Sequence, residues 1–177
     1  MTDRRIGWRL SPRQRKLTLL VHIVSGIGWM GADIVFFLLL VTGLTTDDGA
    51  VAASCYIALG VFVPVAVPVF SLGMLVSGVL LGWGTKWGVL RYWWVAIKLA
   101  FGVILTVLVL VLLVPEINDL ARPDATASAD AVRDVLGPAP TQLLFPAAVS
   151  FTMLAIASGL SLFKPWGRTP WSVRAER

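Results

Sequence analysis

The chain has 177 residues, of which 57% are hydrophobic and only 14% are charged. Soluble domains carry about a quarter charged residues, and the apolar residues here come in long unbroken runs, so a soluble globular domain is excluded. The net charge of +5 does not indicate a nucleic-acid partner, because Lys and Arg cluster outside the apolar runs, as membrane topology requires. The single cysteine, Cys55, excludes an internal disulfide and a multi-cysteine metal site.

Four apolar stretches predict four membrane-spanning helices within one transmembrane domain that covers residues 1–177. A helix rises about 1.5 Å per residue, so about 20 apolar residues cross a bilayer core of about 30 Å. The fold class is therefore all-α: a polytopic membrane protein built as an antiparallel four-transmembrane-helix bundle, with the lipid bilayer as its main partner. The predicted spans are 17–44, 56–81, 93–114 and 142–163.

The segments between the spans differ in charge, and this difference predicts the topology. The termini and the segment 83–92 hold twelve basic residues, whereas 45–54 and 116–141 together hold two. Basic residues are retained on the cytoplasmic side, so we expect both termini in the cytoplasm and a location in the cell membrane. Within the external loop 116–141, the stretch ASADAVRDVL predicts a short helix that ends at GPAPT.

The first span holds two ionisable side chains, His22 and Asp33. At 100° per residue they fall on one stripe with Gly26, Trp29 and Leu40. An ionisable group inside a membrane is costly and normally faces protein or a water-filled cavity. The stripe is therefore expected to face the interior of the bundle.

The second span is predicted to bend and to pack closely against another helix. Pro64 and Pro68 each remove a backbone donor, which favours a kink. Beyond them Ser71, Gly78 and Gly82 share one face, and small residues of this kind let helices approach closely in lipid. Pro115 is expected to end the third span.

The third span contains Lys98, at the same predicted depth as His22. Neutral imidazole is a good ligand for haem iron or another transition metal, and a desolvated lysine could ligate, donate a hydrogen bond or accept a proton. Gly26 and Gly102, one turn deeper on the two stripes, would leave room for a flat ligand. The alternative is structural: Lys98 extends to the headgroups, and His22 bonds a neighbouring carbonyl or hydroxyl group.

Asp33 lies about 16 Å further along the first span than His22, which is too far for a direct contact with Lys98. No basic residue of any predicted span lies at its depth. We expect Asp33 to be protonated or to bond polar groups such as Thr106, Ser150 or Thr152. A proton-relay role is a weaker alternative.

Two sets of residues carry a resemblance to known families. The stretch formed by Trp87, Gly88, Arg91, Trp93 and Lys98 resembles that of actinobacterial four-span membrane proteins, over residues 15–163, and implies no particular function. The pattern of His22, Trp29, Met30 and Gly31 resembles the first helix of the HemJ-type protoporphyrinogen oxidases, which are related to CopD-type proteins. That resemblance implies haem b held by His22 and Lys98, although a second histidine and the Tyr, Pro and Arg that follow the tryptophan are missing.

Two classes of function follow. The first is a non-catalytic or accessory four-helix membrane protein, a homo-oligomer or a partner in a membrane complex, whose polar groups hold the bundle together. The second is a haem- or metal-binding membrane redox protein, an oxidoreductase if it is an enzyme, with His22 as the ligand and Lys98 opposite. A single histidine excludes bis-histidine ligation within one chain.

Overall fold

The computed structural model describes residues 10–84, 89–163 and 167–170. Within these ranges the predicted all-α fold is confirmed, and four helices are long and apolar enough to cross a membrane. They are α1 (Pro12–Thr45), α2 (Gly49–Gly84), α3 (Trp93–Asp119) and α5 (Ala139–Phe163), with a short helix α4 (Ala129–Leu136) before α5. Outside the described residues lie Trp87 and Gly88 and the basic residues Arg4, Arg5, Arg9, Lys86, Lys164, Arg174 and Arg177.

Capping residues extend α1 and α2 beyond the apolar stretches that predicted them. At the start of α1, Ser11 and Gln14 form a reciprocal capping box, with Pro12 in the first turn. At the start of α2, the Asp48 Oδ1 accepts hydrogen bonds from the backbone N–H groups of Ala50 and Val51. The external loop predicted over residues 45–54 is therefore only the turn 46–48.

The prediction that Pro115 ends the third span is wrong, because α3 continues through it to Asp119. The residues Val109–Leu113 form a π-helical turn, and the Val114 N–H bonds the Val109 carbonyl five residues back. In a regular α-helix the Pro115 ring would meet the carbonyl four residues earlier. The wider π turn makes room for the ring.

The short helix predicted between the third and fourth spans is confirmed as α4. The Ser128 hydroxyl accepts a hydrogen bond from the Ala131 N–H at its start, and Gly137, with a φ of 56°, follows its end. Arg133 donates from both terminal nitrogens to the Thr46 carbonyl, at 3.3 and 2.7 Å. The helix therefore lies against the α1–α2 turn.

The four long helices form a ring in which each packs on two neighbours. α1 contacts α2 and α5, and α3 contacts the same two helices, so α1 and α3 lie on opposite sides. Neighbours are antiparallel: Gly28 of α1 lies against Phe70 of α2, and Gly43 lies against Tyr56. We call the end at which α1 begins the basic end, and the end that carries α4 the acidic end.

The inner faces of the helices form one apolar core that reaches from mid-bundle to the acidic end. Trp29, Phe36 and Leu40 of α1 meet Tyr56 and residues of the other helices there, all fully buried or nearly so. The outward faces are also apolar. Lipid chains are as apolar as leucine, so close packing and hydrogen bonds, rather than the hydrophobic effect, hold such helices together.

Candidate functional site

His22 is half-buried and is held by α2 rather than by α3. Its Nδ1 lies 3.0 Å from the Met74 carbonyl oxygen and 3.1 Å from the Ser77 hydroxyl oxygen. A carbonyl oxygen only accepts, so Nδ1 carries the proton and donates it. In the neutral ring, the lone pair then lies on Nε2, for which the described residues offer no hydrogen bond.

Glycines on α2 make this contact possible. A Cβ on Gly78 would stand 3.1 Å from the His22 Cε1, and one on Gly73 would stand 2.7 Å from the Ser25 hydroxyl oxygen. Ser71, seven positions before Gly78 and on the same face of α2, is fully buried. The predicted close-packing face is thus confirmed for Ser71 and Gly78, whereas a Cβ on Gly82 would meet Val89 of the connecting segment rather than another span.

Lys98 is half-buried and bonds α5. Its Nζ donates to the Ser161 hydroxyl oxygen and lies 5.3 Å from the centre of the Trp94 ring, a cation–π distance. The Ser161 hydroxyl in turn donates to the Ala157 carbonyl in its own helix. The ammonium group therefore has a hydrogen-bond acceptor and an aromatic face within the bundle.

His22 and Lys98 do not share a partner, because each is bonded to a different neighbouring helix. The space expected beside the two glycines holds side chains of α2. A Cβ on Gly26 would stand 3.7 Å from the Met74 Sδ, and one on Gly102 would stand 3.7 Å from the Leu75 Cδ1. A flat ligand between α1 and α3 therefore requires these side chains to move.

The part of α3 that carries Lys98 is less buried than the part that follows it. Between Trp94 and Leu105 no residue of the helix is fully buried, whereas Leu105, Thr106 and Val109 are. The contribution of α3 to the apolar core therefore begins at Leu105.

Asp33 is 3% exposed and bonds to α5. The Ser150 hydroxyl donates to its Oδ2 at 2.8 Å, which confirms one of the three partners proposed from the sequence. The Thr152 hydroxyl donates instead to the Ala148 carbonyl of its own helix. Asp33 thus joins α1 to α5 near the middle of the bundle.

Buried polar atoms without a hydrogen-bond partner also occur in the described part of the chain. They include the Trp29 indole nitrogen, the Thr106 hydroxyl and the Tyr56 hydroxyl. Trp29, which the sequence placed on the inward stripe, is fully buried. Most buried polar groups in proteins are paired, so these atoms are the places where a bound water would be stabilised.

Two partner residues, Ser77 and Ser161, were missed by sequence reasoning. Hydroxyl groups in apolar helices usually bond their own backbone, and both serines do so. Their second role, as acceptors for His22 and Lys98, depends on which helices are neighbours. No sequence pattern carries that information.

Two cavities accompany these residues. One, of about 310 Å³, lies between α1 and α5 and includes Asp33 in its wall. The other, of about 700 Å³, lies at the acidic end beside Glu116 and Asp119. Neither includes His22 or Lys98, and among the described residues no three His, Cys, Asp or Glu side chains come together as a metal-binding group.

Comparison with known proteins does not add a relative. The chain matches no family model, no curated protein and no solved structure.

Proposed function

We propose that this chain is a small, non-catalytic protein of the cell membrane, an accessory component whose buried polar groups hold its four spans together. The observation that supports this is the pairing of three ionisable groups that lie within the apolar part of the spans. His22 bonds α2, Lys98 bonds α5, and Asp33 bonds α5. Each link joins two neighbouring helices, and a hydrogen bond between spans contributes about 0.6 to 2 kcal/mol.

The proposal includes an orientation in which both termini lie in the cytoplasm. Its support is the excess of basic residues in the terminal segments and in the α2–α3 connection. Single cysteines introduced at Asp47 and Asp130 should react with a membrane-impermeant maleimide in intact cells, and those at Arg13 and Arg15 only after lysis. The background carries Cys55→Ser. Reaction at Arg13 in intact cells would refute the orientation.

The structural role of the links is tested by thermal unfolding of the purified protein in one detergent. Asp33→Asn keeps the shape of the side chain, and Asp47→Asn makes the same change at an exposed position outside the spans. Ser150→Ala removes only the hydroxyl group that donates a hydrogen bond to Asp33 Oδ2. The proposal predicts a lower melting temperature for Ser150→Ala than for Asp47→Asn, and equal values would contradict it.

A second candidate function, haem or metal binding at His22, is favoured by the orientation of the imidazole ring. Histidines that ligate metals usually donate their other ring N–H to a carbonyl or carboxylate group, which fixes the ring. His22 donates from Nδ1 to Met74 and leaves Nε2 for a ligand. Met74 and Leu75 occupy the space beside Gly26 and Gly102, so the residues provide the ligand atom but not the cavity expected for a flat ligand.

In this second candidate, His22 would hold the group through Nε2, and Lys98 would contribute from α3. A bound haem would supply one-electron redox chemistry, and the chain would hold it and exclude water. The test is an absorption spectrum of protein purified from cells supplied with a haem precursor. A Soret band that disappears in His22→Ala but persists in Asp33→Asn would support it, and a colourless wild-type protein would exclude it.

A further inference from the structure

The cavity between α1 and α5 opens to the surface that faces lipid. Its apolar wall includes Ile34, Phe37 and Leu38, which are 47%, 42% and 58% exposed, and Phe151. The cavity has a volume of about 310 Å³. This volume lies at the lower end of the range for small-molecule sites, which are mostly apolar with a few polar groups in their walls.

Asp33 is the acidic group in this wall, and only half of its carboxylate is bonded. Ser150 donates to Oδ2, whereas none of the described residues donates to Oδ1. His22 lies about 16 Å away along α1, and Lys98 lies at a similar depth to His22. A carboxylate inside a membrane is strongly stabilised by a positive charge, and no described side chain at this depth supplies one.

We propose that this groove binds a lipophilic amine: the ammonium group bonds Asp33 Oδ1, and the apolar body lies against Phe37, Leu38 and Phe151. The amine supplies both the positive charge and the hydrogen-bond donors that the described residues lack at this position. The apolar body replaces lipid against the exposed wall of the groove.

Two other molecules could occupy the groove, but each would interact with only part of it. A lipid acyl chain would cover the apolar wall but would leave Oδ1 without a donor. The spans of a second copy would bring apolar side chains to this depth, because the described helices carry no basic residue there. Charge complementarity therefore favours the amine.

The experiment measures binding of dansylcadaverine, a fluorescent primary amine, to the full chain in nanodiscs of phosphatidylcholine. The neutral comparison compound is N-pentyl dansylamide, which has the same body without the ammonium group. Wild-type protein should bind the amine saturably, with one site per chain, and the neutral compound at least tenfold more weakly. Equal binding of the two compounds would overturn the proposal, because the groove would then take apolar chains in general.

The variants locate the site. Asp33→Asn should weaken amine binding by roughly tenfold or more, since breaking a buried charge pair is costly, whereas Asp47→Asn should leave it unchanged. Ala148→Phe, at an exposed position in the groove wall, should fill the groove and block binding with Asp33 intact. If Asp33→Asn fails to fold, Ala148→Phe decides the question. Wild-type binding by either folded variant, or no saturable binding by the wild type, would overturn the proposal.

Discussion

Replacing Gly78 by leucine tests the packing of α1 on α2. A Cβ alone at this position would stand 3.1 Å from the His22 Cε1 and 3.5 Å from its Nδ1. A leucine therefore fits only if the imidazole leaves its place, which breaks the hydrogen bonds to Met74 and Ser77. The single Nδ1 proton is shared between these two acceptors, so its lost hydrogen bonding costs about 1 kcal/mol, and overpacking adds about 1–3 kcal/mol.

The summed destabilisation of about 2–4 kcal/mol can be measured as a shift in melting temperature. For a domain of this size, 1 kcal/mol corresponds to about 2–4 °C, so we expect Gly78→Leu to melt roughly 5–15 °C lower. The matched control is Gly60→Leu, in the same helix, where a Cβ meets nothing within 4 Å. Both variants gain the same helix propensity, so their difference reports the contact alone.

A double variant identifies His22 as the group that is displaced. His22→Ala removes the imidazole and leaves space for the leucine side chain, so Gly78→Leu should cost less in that background than in the wild type. The expected coupling is about 0.5–3 kcal/mol, the range for residues in direct contact. Additive effects, or a Gly78→Leu protein as stable as Gly60→Leu, would refute the reasoning.

Three further predictions follow from other contacts. A Cβ on Gly49 would overlap a backbone carbonyl oxygen at the start of α4, so Gly49→Ala should speed hydrogen exchange in α4, measured by mass spectrometry. Ser161→Ala leaves the Lys98 ammonium without its hydrogen-bond acceptor and should lower the free energy of unfolding by about 1–3 kcal/mol. Lys98→Met should lower it less, and thermal unfolding of the two variants measures the difference. Two donors on Thr126 hold the pKa of Asp124 below its ordinary value of 3.8. That stabilisation is present above pH 3.8 and is lost as the pH falls below it, and Thr126→Ala should raise the pKa measured by NMR.

The number and order of the spans could be predicted from the sequence, because long apolar runs are required by the thickness of the bilayer. The helix ends could not be read from hydropathy. The polar turn that begins α1 is helical because Ser11 and Gln14 cap it, and α2 begins early because Asp48 caps it. Such ends are set by hydrogen bonds to the first N–H groups, which a count of apolar residues ignores.

The inward stripe of α1 was predicted correctly in direction, since Trp29 and Asp33 are buried. The partners of its polar groups were less accessible, because they depend on the order of helices around the ring. α1 and α3 lie on opposite sides, and side chains of α2 fill the space expected between Gly26 and Gly102. A periodic pattern gives the direction of a side chain relative to its own helix, not the neighbour that it meets.

The two groups of polar residues are far enough apart to be treated as independent. His22 and Asp33 are eleven positions apart on one helix, or about 16 Å, and they bond different neighbours, α2 and α5. Sites separated by more than about 10 Å without shared partners usually give additive effects. A variant at Asp33 should therefore leave any ligand at His22 in place, and a variant at His22 should leave amine binding in the groove unchanged. If no ligand binds at His22, that result would say nothing against amine binding at Asp33, and the reverse also holds.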